Sequence, residues 1–228
     1  EQINNDLAKK VKNKYPNCLI IYGGQSTPKQ DRCQDFFKIH PYIDVLIHGE
    51  GEITFKKLLD GYLNNDIDSV SGCTFKQENN ITKTNLSRPR IQDISIMPSP
   101  YLDGTFDNLA RKSPYKLDVI IETARGCPYS CTFCEWGDNY YTLLKRQPIE
   151  KLKKEIDWSV EHKVEFLYNA DNNFGLFPEH KDITEYIVNK KKKTGYPHIM
   201  RNDWAKGRAD MVMPIAKMLH DAGLQKGV

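Results

Sequence analysis

Long apolar runs are missing from this chain. No stretch approaches the roughly 20 consecutive apolar residues that span a bilayer, and no signal-peptide pattern opens it. Charge of one sign is scarce as well. The 33 basic and 30 acidic residues leave a net charge of +3, without the clustered basic face that nucleic-acid binding requires. The one dense basic run, Lys190 to Lys193, falls at the end of a predicted helix, where cations complement the helix dipole. A disulfide spacing is lacking too. Six cysteines divide into three scattered residues (Cys18, Cys33 and Cys73) and one triplet (Cys127, Cys131 and Cys134), in a chain of helices and apolar strands rather than a short loop-rich scaffold. These absences predict a protein of the reducing cytoplasm with no membrane segment and no nucleic-acid partner. The scattered cysteines are expected to be ordinary small residues.

What is present is a globular balance. Hydrophobic residues make up 39% and charged residues 28% of 228 residues, enough for two modest domains. The chain opens on Glu1 and stops at Gly227-Val228, in what reads as the start of a strand, so it is expected to be a fragment cut at both ends.

Residues 3 to 14 carry a helical stripe (Ile3, Leu7, Val11), followed by the apolar run Cys18 to Tyr22, closed by Gly23-Gly24. A helical pattern at 31 to 39, a second apolar run Ile43 to Ile47 ending in Gly49-Glu50-Gly51-Glu52, and an amphipathic helix through Tyr62 come next. Unbroken apolar strands alternating with amphipathic helices predict a parallel sheet covered on both faces. Residues 1–72 are therefore read as part of a doubly wound α/β domain. Residues 73–116 are read as a hairpin (Cys73 to Gln77 and Ile81 to Thr84 around Glu78-Asn79-Asn80) and a proline-rich interdomain linker. From 117 to 228 a second alternation begins. Strands are predicted at 119–123, 164–168 and 198–200. Helices follow Pro148, cover about 180–192, and run from Met211 to Ala222, where Gly223 ends the helix. A fourth strand is predicted near Leu224. This is a β/α repeat of barrel type, broken off about halfway.

The chemistry lies in the loop after the first of these strands. It runs Arg125-Gly126-Cys127-Pro-Tyr-Ser-Cys131-Thr-Phe133-Cys134-Glu-Trp-Gly137, a C-x-x-x-C-x-x-C spacing at the carboxyl end of a strand, the face on which β/α barrels build their sites. Thiolates are the usual ligands of iron–sulfur clusters, and three of them hold three irons of a 4Fe–4S cube while leaving the fourth open. A structural zinc site would need a fourth ligand, and no fourth Cys or His is near in sequence; His162 and Cys73 would be arbitrary choices.

The triplet, with the aromatic Phe133 before its last cysteine, resembles the radical S-adenosylmethionine (SAM) superfamily. The Arg-Gly-Cys-Pro lead-in is similar to members that carry an N-terminal cobalamin-binding domain. Three upstream features are similar as well: the strand closed by Gly23-Gly24, the His48-Gly-Glu50-Gly-Glu52 segment, and Ile96-Met-Pro-Ser-Pro-Tyr-Leu102. The resemblance covers essentially the whole chain. It implies an α/β fold: the C-terminal part of a doubly wound cobalamin-binding-like domain, then the first half of a partial (β/α) radical SAM barrel.

It also implies that Cys127, Cys131 and Cys134 ligate a 4Fe–4S cluster whose open iron takes the amino and carboxylate groups of SAM. Reductive cleavage of SAM would yield a 5′-deoxyadenosyl radical. Cobalamin is a candidate methyl carrier, the substrate is expected to be a small molecule, and the electron donor a flavodoxin or ferredoxin. Phe133, Asp171, Asn173 and Arg208 become candidate SAM-side contacts, although turn-forming residues that cap a helix would also explain 169–174, and an ion pair would explain Arg208. Gly23, Gly24 and Glu50 become candidate cobalamin-side contacts at the carboxyl edge of the first sheet; a plain turn is the alternative for the glycines. Glu122 and Arg125 are candidates for orienting the cysteine loop. The Asp-x-His-x-x-Gly motif that supplies a lower-face histidine to cobalamin is absent. Methyl transfer, or a ring-forming or oxidative step, is the expected reaction. The rivals are a methylthio-transferring enzyme, which would need a second set of three cysteines, and a non-catalytic metal- or cobalamin-sensing module.

Overall fold

The computed structural model describes residues 2–64, 66–77, 82–134 and 142–225. They fall into two units, Glu1–Ile91 and Gln92–Val228.

In the first unit, α1 (Gln2–Lys14) leads to β1 (Ile21–Tyr22), α2 (Cys33–Ile39), β2 (Val45–Ile47), α3 (Gly51–Leu63), β3 (Cys73–Lys76) and β4 (Thr82–Thr84). β2 is buried along its whole length, and its side chains alternate between two cores. Leu46 joins Ile20, Phe37 and Ile43 on one face. Val45 and Ile47 join Leu58, Val70 and Phe75 on the other. Complete burial of a side chain such as Leu46 is worth about 2 kcal/mol, so an unbroken apolar strand is stable only in a sheet with both faces covered.

Two expectations change here. The run from Cys18 to Tyr22 is a strand only at Ile21–Tyr22, because Ile20 is diverted: its N–H donates to the Asp44 carboxylate at 2.7 Å instead of to a ladder partner. The hairpin is part of the first sheet and not of a linker. The order is β1-β2-β3-β4, with β1 and β2 parallel but β2–β3 and β3–β4 antiparallel, so the sheet is mixed rather than purely parallel. β3 buries Cys73, Thr74 and Phe75, which is why it stays on the sheet. The predicted turn at Glu78 to Asn80 lies outside the described residues.

In the second unit, α4 (Asp107–Lys112) is a short helix inside the proline-rich segment, where no period announced one. Then come β5 (Asp118–Ile121), β6 (Ala124–Arg125), β7 (Lys145–Arg146), α5 (Ile149–Glu161), β8 (Phe166–Asn169), α6 (Glu179–Thr194), β9 (Ile199–Arg201) and α7 (Ala209–Asp221). β5, β8 and β9 form a parallel sheet in that order. Val119, Ile121, Leu167 and Met200 point to the helical layer, meeting Ile156 of α5, Ile183 and Ile187 of α6, and Ile215 and Leu219 of α7. On the opposite face Ile120 is 59% and Ile199 38% exposed, so one face of this sheet is packed and the other open. The free edge of β5 is capped by Tyr101, whose hydroxyl donates to the Ile120 carbonyl at 2.8 Å and accepts its N–H at 3.3 Å. Beyond α7 the Leu224 carbonyl accepts the Met200 N–H at 2.8 Å, the start of a further pairing. Most of the predicted fourth strand lies outside the described residues.

Candidate functional site

Parallel strands direct their carboxyl ends to one edge, and in the second unit that edge collects the polar residues. β5 ends in Glu122-Thr123, β8 in Asn169 to Asn173, and β9 in Asn202. Thr123, Asn169, Asp171, Asn173 and Asn202 are all buried.

Asp171 is the hub. Its Oδ1 accepts the N–H groups of Thr123 at 2.7 Å and Ala124 at 2.9 Å, and its Oδ2 accepts the Thr123 hydroxyl. Burial pushes its carboxyl up to about 6, against the lowering pull of those hydrogen bonds. His180, on the apolar face of α6, completes the arrangement. The Gly175 N–H donates to His180 Nδ1 at 2.6 Å, which leaves the ring proton on Nε2, 3.2 Å from the Thr123 hydroxyl. Burial, with a smaller contribution from the charge of Arg146, lowers His180 to about 4, so the ring is neutral at pH 7. The chain from imidazole to hydroxyl to carboxylate therefore anchors the first residues after β5.

The cysteine loop hangs from that anchor. β6 and β7 pair antiparallel, Ala124 with Arg146 and Arg125 with Lys145, and the Gln147 N–H donates to the Thr123 carbonyl at 2.9 Å. The loop is thus an excursion closed at its base by a short ribbon. Arg125 makes a two-pronged pair with Glu122, at 2.7 and 2.8 Å, which orients the entry to Gly126. Gly126 has φ +114°, a conformation that favours glycine. Cys127 and Cys131 are partly exposed and Cys134 is exposed, and none of the three forms a disulfide. Among the described residues, no three His, Cys, Asp or Glu side chains are gathered closely enough to hold a metal ion. In number, softness and access the three thiols still fit a cluster with three protein ligands. The later part of the motif, Glu135 to Gly137, lies outside the described residues.

The other sequence candidates fall as follows. Phe133 is exposed under the Lys206 ammonium, 4.9 Å from the ring centre. Arg208 pairs with Asp210 at 3.2 Å and donates to the Leu176 carbonyl at 3.2 Å. The side-chain nitrogens of Asn169 and Asn173, and both polar atoms of Asn202, find no hydrogen-bond partner among the described residues. Buried amides are normally satisfied, so these atoms suit a further polar ligand. In the first unit, Gly24 has φ +88° and open space around the position of a Cβ. Gly23 lines a cavity of about 670 Å³ with residues of α1, Phe36 and His40. Glu50 is committed elsewhere: its Oε2 accepts the Ile91 N–H at 2.7 Å, and its Oε1 lies 3.5 Å from an Arg90 nitrogen. Cys73 and Cys33 are buried and Cys18 is partly buried.

No protein-family model matches the chain. The cobalamin-dependent radical SAM methyltransferase TokK of Streptomyces tokunonensis is 38% identical over 228 residues, covering 97% of this chain and 33% of TokK. The 2-(S-pantetheinyl)-carbapenam-3-carboxylate methyltransferase of Streptantibioticus cattleyicolor is 39% identical, again over 97% of this chain and 33% of its own length. Both relatives are methyltransferases, TokK a cobalamin-dependent radical SAM enzyme, and an anaerobic magnesium-protoporphyrin IX monomethyl ester cyclase of Synechocystis is 33% identical over 72% of this chain and 32% of its own length; the chain is thus homologous to enzymes of the cobalamin-dependent radical SAM type. The chain spans about one third of the length of these curated relatives. The radical SAM methyltransferase TsrM of Kitasatospora setae, solved with cobalamin and a [4Fe-4S] cluster bound, matches with a TM-score of 0.61 at 15% identity, over 96% of this chain and 43% of TsrM. That likeness establishes a mixed α/β fold with parallel strands, similar to radical SAM enzymes of this type. Among the described residues no helix is long and apolar enough to cross a membrane.

Sequence reasoning missed four residues of this edge and its loop. Thr123 reads as a strand end, Asn202 lies just beyond a three-residue strand, and no sequence signal marks Lys206. His180 carried a usable signal: it is in helical phase with Ile183, Thr184, Ile187 and Val188, all buried on α6.

Proposed function

We propose that this chain carries the cluster- and SAM-binding portion of a cobalamin-dependent radical SAM methyltransferase, with Cys127, Cys131 and Cys134 as the ligands of a 4Fe–4S cluster. On this reading the first unit is the later part of a cobalamin-binding domain and the second the first half of the radical SAM barrel. The open sheet face around Ile120 and Ile199 is then the barrel interior. The observation that carries the reading is the three-thiol loop at the carboxyl edge of a parallel sheet, held at its root by the buried Asp171.

Held by these three cysteines, a 4Fe–4S cluster would supply the electron for reductive cleavage of SAM, with methionine as the other product, and bound cobalamin would supply a methyl carrier. The chain's own residues do the placing. Asp171, Thr123 and His180 fix where the loop leaves the sheet. Glu122 and Arg125 aim it. Asn173 and Asn202 offer amide groups to SAM, and Arg208 a guanidinium to a carboxylate. Gly23 and Gly24 leave backbone open at the carboxyl edge of the first sheet for cobalamin; Glu50, occupied by residues 90–91, is left out of that set. A small molecule is the substrate, with a pantetheinyl carbapenam carboxylate the first to try, and a flavodoxin or ferredoxin the electron donor.

The test is anaerobic reconstitution with iron and sulfide, followed by metal analysis and EPR with and without SAM, on the parent chain and on Cys131→Ala. The expected result is about four irons per chain, a reduced-cluster signal that SAM perturbs, and loss of both in the variant. Zinc alone, or a cluster indifferent to Cys131→Ala, overturns the reading.

A further inference from the structure

Lys206 follows β9 by a few residues, and three separate contacts run from it to alternate residues of the cysteine loop. Its carbonyl accepts the Tyr129 hydroxyl. Its ammonium donates to Cys131 Sγ at 3.6 Å. The same ammonium lies over the Phe133 ring, 4.9 Å from the centroid. The backbone that carries it is itself fixed. Phe174 and Trp204 form a parallel bridge, the Ala205 N–H donates to the Phe174 carbonyl at 2.9 Å, and Gly207 turns the chain at φ +69°. A flexible lysine with one exposed contact would mean little, but here an anchored residue meets one loop through its backbone carbonyl and twice through its ammonium.

We propose that Lys206 is a positioning residue for the iron–sulfur site: it latches the loop at Tyr129, Cys131 and Phe133, and sets a positive charge on the Cys131 sulfur. The inference rests on the cluster reading given under Proposed function. A cation donating to a ligand sulfur stabilises the more negative, reduced state of a cluster and so raises its reduction potential. Replacing the ammonium with an apolar group of similar length removes the charge and the donor but keeps the stem.

The experiment compares the parent chain, Lys206→Met and Lys206→Arg by two readouts. In the iron-free chain, amide hydrogen exchange over 127–134 is expected to be several-fold faster in Lys206→Met, with exchange in α5 and α6 unchanged. After reconstitution with iron and sulfide, the midpoint potential from a dye-mediated EPR titration is expected to be more negative in Lys206→Met and restored towards the parent in Lys206→Arg. Unchanged loop exchange, or equal potentials in the parent and Lys206→Met, overturns the proposal. A parent chain that takes up no iron overturns the cluster reading instead, and the exchange comparison still decides the latch.

Discussion

Each unit carries one buried carboxylate beyond the carboxyl end of a central strand, and the two do the same physical work on different loops. Glu50, after β2, accepts the Ile91 N–H and faces Arg90 within the first unit. Asp171, after β8, accepts Thr123 and Ala124 within the second. Both are candidates for cofactor contact from sequence, and both accept backbone N–H groups. A carboxylate buried at a sheet edge needs donors, and the nearest are the N–H groups of an adjacent chain segment that has left its ladder. The difference lies in what each segment leads to. Residues 90–91 close the first unit, whereas 123–124 open the cysteine loop. The rest of the polar groups sharpens the contrast. In the first unit His48, Thr74 and Thr84 satisfy one another at 2.8 and 3.0 Å. At the edge of the second unit, amide atoms of Asn169, Asn173 and Asn202 are left over.

The largest effect expected from this comparison is that of Asp171→Ala. It strands the buried Thr123 N–H and hydroxyl and the partly buried Ala124 N–H and is expected to cost about 4 kcal/mol, measured by urea denaturation. Hydrogen exchange should rise at 123–125 and not in β2 or β3. Equal acceleration in both units would break the parallel between the two carboxylates.

Next comes His180. Its folded pKa is lowered to about 4 from an ordinary 6.5, so the unfolded chain binds the extra proton first and stability is lost as pH falls from about 6.5 towards 4. The loss amounts to about 3 kcal/mol when complete. Asp171 acts in the opposite sense: its raised pKa makes the folded chain keep a proton that the unfolded chain has shed, so its contribution to stability falls as pH rises from about 4 to 6. The two partly cancel in the parent. Denaturation midpoints of His180→Gln should therefore decline with rising pH across this window, where the parent is nearly flat; a parent-like profile in the variant would show that His180 does not titrate there.

Glu50→Ala is expected to cost about 2 kcal/mol, seen as faster exchange at Ile91 and across β3 with the cysteine loop unaffected. A loss of iron uptake in that variant would mean the two braces are not independent.

Much of the second unit was legible because its signals are local. Val119 to Ile121, the 3.6-residue stripes of α5, α6 and α7, and the Gly223 stop appear close to their expected places. The cysteine loop was legible from spacing alone. The hairpin was legible as a hairpin but not as part of the first sheet, because pairing of β3 with β2 depends on the burial of Phe75 and Cys73 against residues far away in sequence. The helix at 107–112 gave no periodic signal and is tied down by a tertiary bond, the Trp158 indole N–H to Asp107 at 2.8 Å.

The amino-acid order by itself determined the alternation of strands and helices, the three thiols on one loop, and the likeness to radical SAM enzymes, since each is a matter of period or spacing along the chain. Only the tertiary structure decided what the polar residues do. Asp171 and Glu50 brace backbone, Thr123 and His180 complete the anchor of the cysteine loop, Lys206 reaches across it, and both amide atoms of Asn202 lack a partner among the described residues. Those roles depend on which donors and acceptors meet at the edge of the sheet, and that follows from strand register and packing between segments tens of residues apart.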